Sequence, residues 1–87
     1  MSSREQIREA VFEAFRRGAR ERAGRTLGAL GEDTTFESLG LGSLTLFEII
    51  GDVERGLSVT LGDDDLAELQ TLGDLIDLCA KIASTGA

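Results

Sequence analysis

With 87 residues, no histidine, one cysteine and a formal net charge of −7, the chain has room for one small domain, spanning 1–87, and few routes to catalysis. Folding at this size buries only about two thirds of the unfolded chain's surface, so a thin core is expected and a deep enclosed cleft is not. The lone cysteine excludes an internal disulfide and a cysteine-based zinc cluster, and the acid excess disfavours nucleic acid and anionic membrane while favouring basic protein surfaces.

The first helix is announced by Ile7, Ala10, Val11, Ala14 and Phe15, which recur at i, i+3, i+4, i+7 and i+8. Ser2 or Ser3 supplies its cap, Gly18 weakens its last part, and Gly24 marks its end. Its arginines alternate with Glu5, Glu9, Glu13 and Glu21 at helical spacing and read as a solvated face rather than an RNA-binding arm. Beyond Gly31 only Arg55 and Lys81 oppose twelve acids. Residues 25–42 read as a long ordered loop anchored by Phe36 and Leu39. No stretch alternates with period two long enough for a convincing strand; "LSVTL" comes nearest.

A second helix is expected from Ser43 to about Arg55, with Gly56 as its stop. Leu46, Ile49, Ile50, Val53 and Leu57 form its core stripe. Leu44 and Phe47 fall on another side, next to Glu48. A small domain rarely covers a helix all round, so these two should form an exposed apolar spot rimmed by Glu48 and Asp52, suited to docking. "LGDDDLAELQ" supplies a short third helix, with Asp63, Asp64 and Asp65 at its positive end. Thr71 and Asp74 form a capping box that opens a fourth helix, whose core stripe is Leu72, Leu75, Ile76, Cys79 and Ala83. On that stripe Cys79 reads as a small buried hydrophobe, not a reactive thiol.

The fold class is therefore all-α, with three main helices, a short third helix and a long loop after the first. Ser43 heads the second helix, where unpaired N–H groups and the helix dipole suit a phosphate. A serine nucleophile needs a base, and neither histidine nor lysine lies near Ser43. The surrounding L-G-S-L-T is not a nucleophile elbow, and no lysine precedes Lys81, so a P-loop is absent. No apolar run spans a membrane and charges break up the N-terminal stretch, so neither an anchor nor a signal peptide is expected. The cysteine economy fits a reducing, cytoplasmic setting.

The set F-x-x-L-G-x-x-S-L, here Phe36, Leu39, Gly40, Ser43 and Leu44, resembles the acyl carrier protein and peptidyl carrier protein family. The resemblance runs in order over about residues 32–82 and continues through Glu48, "VTLGDDDLAEL" and "TLGDLIDLCAKI". It implies a small four-helix bundle of the acyl carrier type and no catalytic residues. It further implies that Ser43 bears 4′-phosphopantetheine, whose thiol holds an acyl or aminoacyl group as a thioester. Leu44, Phe47 and Glu48 are then the expected docking residues. The implied partners are a phosphopantetheinyl transferase, an acyl- or aminoacyl-loading enzyme, and ketosynthase, condensation or tailoring enzymes, met by a monomeric carrier. Gly42 stands where the family usually has aspartate, Thr45 replaces a frequent acid, and Gly62 replaces a common proline. The first two differences point toward polyketide, nonribosomal peptide or related secondary metabolism. An unmodified carrier-like scaffold is the alternative that Gly42 leaves open.

Overall fold

The computed structural model describes residues 3–85, and Ser2 lies outside them. Helix α1 spans Arg4–Ala23, α2 spans Ser43–Leu57, α3 spans Asp63–Ala67 and α4 spans Leu72–Thr85. A 3-10 turn, Glu37–Leu39, interrupts the long loop. The only pairing of β type among the described residues is an isolated bridge between Thr35 and Thr71.

Ser3 caps α1 through a reciprocal box with Gln6, and the helix ends on Gly24 in the left-handed conformation, φ 63°. The expected stripe is buried, Ala10 only partly, and Phe12 joins it from the helix's flank. Helix α1 makes the extensive helix–helix contacts of the fold, one with α2 and one with α4. Gly18 does not weaken α1 visibly; the helix runs unbroken through it. A Cβ there would stand 2.4 Å from Ile49 Cγ1 and 2.8 Å from its Cδ1. The missing side chain is what lets α2 lie so close.

Helix α2 ends later than expected. Gly56 remains helical, and Ser58 takes the left-handed conformation, φ 55°, as the cap. The Val59 N–H then reaches back to the Glu54 carbonyl at 3.0 Å while its side chain is buried. That hydrophobic contact past the cap places the stop, and an exposed glycine inside the last turn does not. Leu61, two residues on, is buried as well, with its N–H held by Glu54 Oε2 at 2.9 Å.

The start of α4 is capped completely. Thr71 Oγ1 accepts from the Asp74 N–H, and Asp74 Oδ2 accepts from those of Thr71 and Gln70. These backbone donors hold the Asp74 carboxyl below its ordinary range. The next two donors are met by the long loop: Leu72 N–H bonds the Thr34 carbonyl at 2.9 Å and Gly73 N–H the Glu32 carbonyl at 2.7 Å. A Cβ on Gly73 would sit 2.6 Å from that carbonyl oxygen, so only glycine admits the loop here. Outside, Arg4 binds Glu32 with both nitrogens at 2.7 and 2.8 Å and Asp77 at 2.6 Å, joining α1, loop and α4.

Two glycines in helices should respond oppositely to alanine. Gly18→Ala gains helix propensity of about 1 kcal/mol, but it drives a methyl into Ile49, which has no exposed side to move to. Overpacking typically costs about 1–3 kcal/mol, so a lower melting temperature is expected. Gly56→Ala meets nothing within 4 Å and should raise it. Equal shifts in thermal unfolding would disprove the close contact.

Candidate functional site

The long loop delivers Ser43. Leu39 and Leu41 are both buried, and Gly40 between them turns the chain at φ 67°. Arg25 Nη1 donates to the Gly40 carbonyl at 2.8 Å and fixes that turn. Leu41 was not among the expected anchors; its flanking glycines were the available signal. Phe36, half-buried, stacks on Phe15 with ring centroids 5.9 Å apart. Ser43 follows two residues after Leu41, exposed, as the first residue of α2.

Its surroundings are open. Gly42, the N-cap, has extended backbone and offers no capping side chain. The Gly42 carbonyl accepts the Leu46 N–H at 3.0 Å, while no acid stands in the first turn. The starts of α1 and α4 are closed by capping boxes, whereas α2, like the short α3, begins on a glycine without a side-chain cap. A Cβ on Gly42 would meet nothing within 4 Å. An exposed hydroxyl on a positively polarised helix end fits a phosphate ester.

Leu44 and Phe47 are 74% and 59% exposed, the two large hydrophobic side chains left outside among the described residues. Ile49, Ile50 and Val53 are buried on the other side of α2, with Leu46 and Leu57 partly so. Beside Ser43 runs an apolar groove of about 190 Å³, walled by Phe36, Leu46, Ile50, Leu66 and Leu69 and flanked by Phe47. A larger, open depression of about 500 Å³ shares Phe36 and Leu69 but does not reach Ser43. The expected rim acids differ from each other. Asp52 is held by Arg22 and Arg55, whereas Glu48 only approaches Arg22, at 3.6 Å. Partial burial pushes the Asp52 carboxyl up, but hydrogen bonds from Arg22 and Arg55 outweigh it and keep it low. Arg22 had no sequence signal as a member of this face, because its pairing depends on how α1 crosses α2. Cys79 is fully buried, and burial followed by the charge of Glu54 pushes its thiol up to about 11. It is not a usable thiolate at neutral pH.

Among the described residues no helix is long and apolar enough to cross a membrane. The family described as "Phosphopantetheine attachment site" matches residues 13–79. The chain is 39% identical over 61 residues to the oxytetracycline polyketide synthase acyl carrier protein of Streptomyces rimosus, covering 70% of this chain and 63% of that one. Two further polyketide synthase carriers are matched over about half of their length. An acyl carrier protein of Exiguobacterium sibiricum is 32% identical over 75 residues, 85% of this chain and 90% of that one. The solution structure of the acetyl actinorhodin acyl carrier protein from Streptomyces coelicolor superposes with a TM-score of 0.71 at 28% identity, covering 91% of this chain and 92% of the other. The superposed fold and the matched residues agree, and the chain belongs to the phosphopantetheine-attachment family, that of the acyl carrier proteins.

Proposed function

We propose that the chain folds as one carrier domain over residues 1–87 and that Ser43 is its attachment point for 4′-phosphopantetheine. The observation that carries this is an exposed Ser43 at a helix start without a side-chain cap, next to a Gly42 with open space around it. Attachment would form an Oγ–P bond at Ser43 and break the P–O–P bridge of the donor, coenzyme A, on the pantetheine side, with the hydroxyl proton and adenosine 3′,5′-bisphosphate leaving. When bound, the group supplies a flexible arm with a terminal thiol for an acyl or aminoacyl thioester. The chain's own residues do the rest. Leu39 and Leu41 hold Ser43 outward, the first N–H groups of α2 would be available to the phosphate, and Leu44 and Phe47 would offer apolar anchors beside the arm.

The protein itself performs no acyl chemistry. A carrier raises the effective concentration of a bound group at successive enzymes, by tethering rather than by contact. The partners in this reading are a phosphopantetheinyl transferase, a loading enzyme, and condensing or tailoring enzymes, in the cytoplasm. The names of the polyketide synthase relatives support a place in polyketide or related secondary metabolism. Gly42 favours a second reading, an unmodified scaffold of carrier shape, and mass measurement separates the two.

Exposure to a broad-specificity transferase and coenzyme A should add one phosphopantetheinyl mass to the wild-type chain. Ser43→Ala should fold normally and gain none. Modification of that variant would move the site elsewhere, and an unmodified wild type would favour the scaffold.

Gly42→Asp should be modified faster, since it restores the family's usual neighbour in a position with open space. Its effect on stability should be small, a few tenths of a kcal/mol. Equal or slower initial rates would show that the glycine costs nothing.

Phe47→Ala should weaken transfer by a partner more than Glu48→Gln does, and with less sensitivity to salt. An apolar anchor in a pocket is worth on the order of 2 kcal/mol, whereas a rim charge acts mainly on association rate. Holo protein of unchanged melting temperature is the material for this comparison. A larger effect of Glu48→Gln would reverse the assignment of anchor and rim.

A further inference from the structure

Arg22 lies one helical turn beyond Gly18, where α1 packs against Ile49 of α2. Its guanidinium reaches across to two carboxylates of α2. Nη2 donates to Asp52 Oδ1 at 3.1 Å and Oδ2 at 3.0 Å, and Nη1 stands 3.6 Å from Glu48 Oε2. Arg55 binds the same Asp52 from within α2. The third acid of α2, Glu54, is turned to the Leu61 N–H instead. The chain carries −7 overall, yet the carboxylates adjoining Leu44 and Phe47 are countered by arginine. By contrast, no ion pair engages Asp63, Asp64 or Asp65 of α3 among the described residues.

We propose that Arg22 is a specificity-determining residue: by binding Asp52 and standing beside Glu48 it offsets charge at the docking face of α2, so that partners read Leu44 and Phe47 by contact. The partner that fits is an enzyme offering an apolar pocket with few cations around it. An enzyme that seizes carriers through a row of cations is disfavoured until it displaces Arg22. The inference rests on the reading of Ser43 and its docking face given above.

The charge of Arg22 acts at short range. Arg16 is six residues earlier on α1, about 9 Å along the axis and about a third of a turn round it. It carries the same charge in no ion pair among the described residues. Removing either arginine changes the net charge equally, but only removal of Arg22 uncovers Glu48 and leaves Asp52 to Arg55 alone. Screening over about 10 Å at moderate salt makes the two losses distinguishable.

The test is the initial rate of phosphopantetheine transfer to the full chain, with coenzyme A as donor and a transferase whose carrier-binding face is basic. KM and kcat are measured at low and high salt. Arg22→Gln should lower KM about threefold or more at low salt, leave kcat unchanged, and lose the gain at high salt. Arg16→Gln should give less than half of that gain. Adding Asp52→Asn to Arg22→Gln removes one of the two charges that Arg22 had countered and should return part of the change. Equal shifts in the two single variants would reduce the effect to net charge and overturn the proposal, as would a KM that stays put or rises. If Arg22→Gln lowers the melting temperature below the assay range, Arg22→Lys keeps the cation but loses the two-pronged grip. It should leave KM close to the wild-type value, and a fall in KM as large as that expected for Arg22→Gln would show that the charge is not what matters and overturn the proposal. Failure of the wild-type chain to gain mass is a separate result: it removes the reading of Ser43, and this inference falls with it.

Discussion

The packing of Gly18 against Ile49 sets the geometry on which the rest depends. Where α1 lacks a side chain, α2 comes close enough to bury Ile49, Ile50 and Val53 against it. That contact also fixes the rotation of α2 about its own axis. With Ile49 turned inward, Leu44 and Phe47 have nowhere to go but out. A turn further along α1, Arg22 meets Asp52 and Glu48, so one helix crossing decides both which apolar residues are offered and which charges are withheld.

The long loop links the two ends of the bundle. At one end its carbonyls at Glu32 and Thr34 satisfy the first donors of α4, and Gly73 admits them. At the other end Leu39 and Leu41 sink into the core and Gly40 turns the chain so that Ser43 emerges. The loop therefore completes one helix start and leaves the other uncapped. Each half of that arrangement has a purpose in the proposed carrier: a rigid frame for the arm's root, and donors left available at the root itself. The apolar groove beside Ser43 is built from the same loop, through Phe36, together with α2 and the α3 region.

Much of this was legible in the sequence because it is carried by side chains in periodic order. The stripes of α1, α2 and α4, the Thr71–Asp74 box and the outward placement of Leu44 and Phe47 all follow from spacing. What stayed hidden is held by groups without a side-chain signature. The loop is pinned by backbone carbonyls, and any residue carries one. Gly56 looked like a stop, yet the stop lies at Ser58, because the burial of Val59 decides it. Gly18 looked like a weakness, and its role shows only once Ile49 is opposite. The pairing of Arg22 with α2 is tertiary in the same sense.

The central claim is that this chain works as a loaded carrier, with its cargo hung from Ser43. The most direct measurement is the intact and fragment mass of the protein purified, without added transferase, from cells that naturally make it. The account predicts a chain heavier by phosphopantetheine with an acyl or aminoacyl group, and fragments that place the whole increment on Ser43. A chain recovered unmodified while its pathway is active, or an increment on another residue, would contradict it.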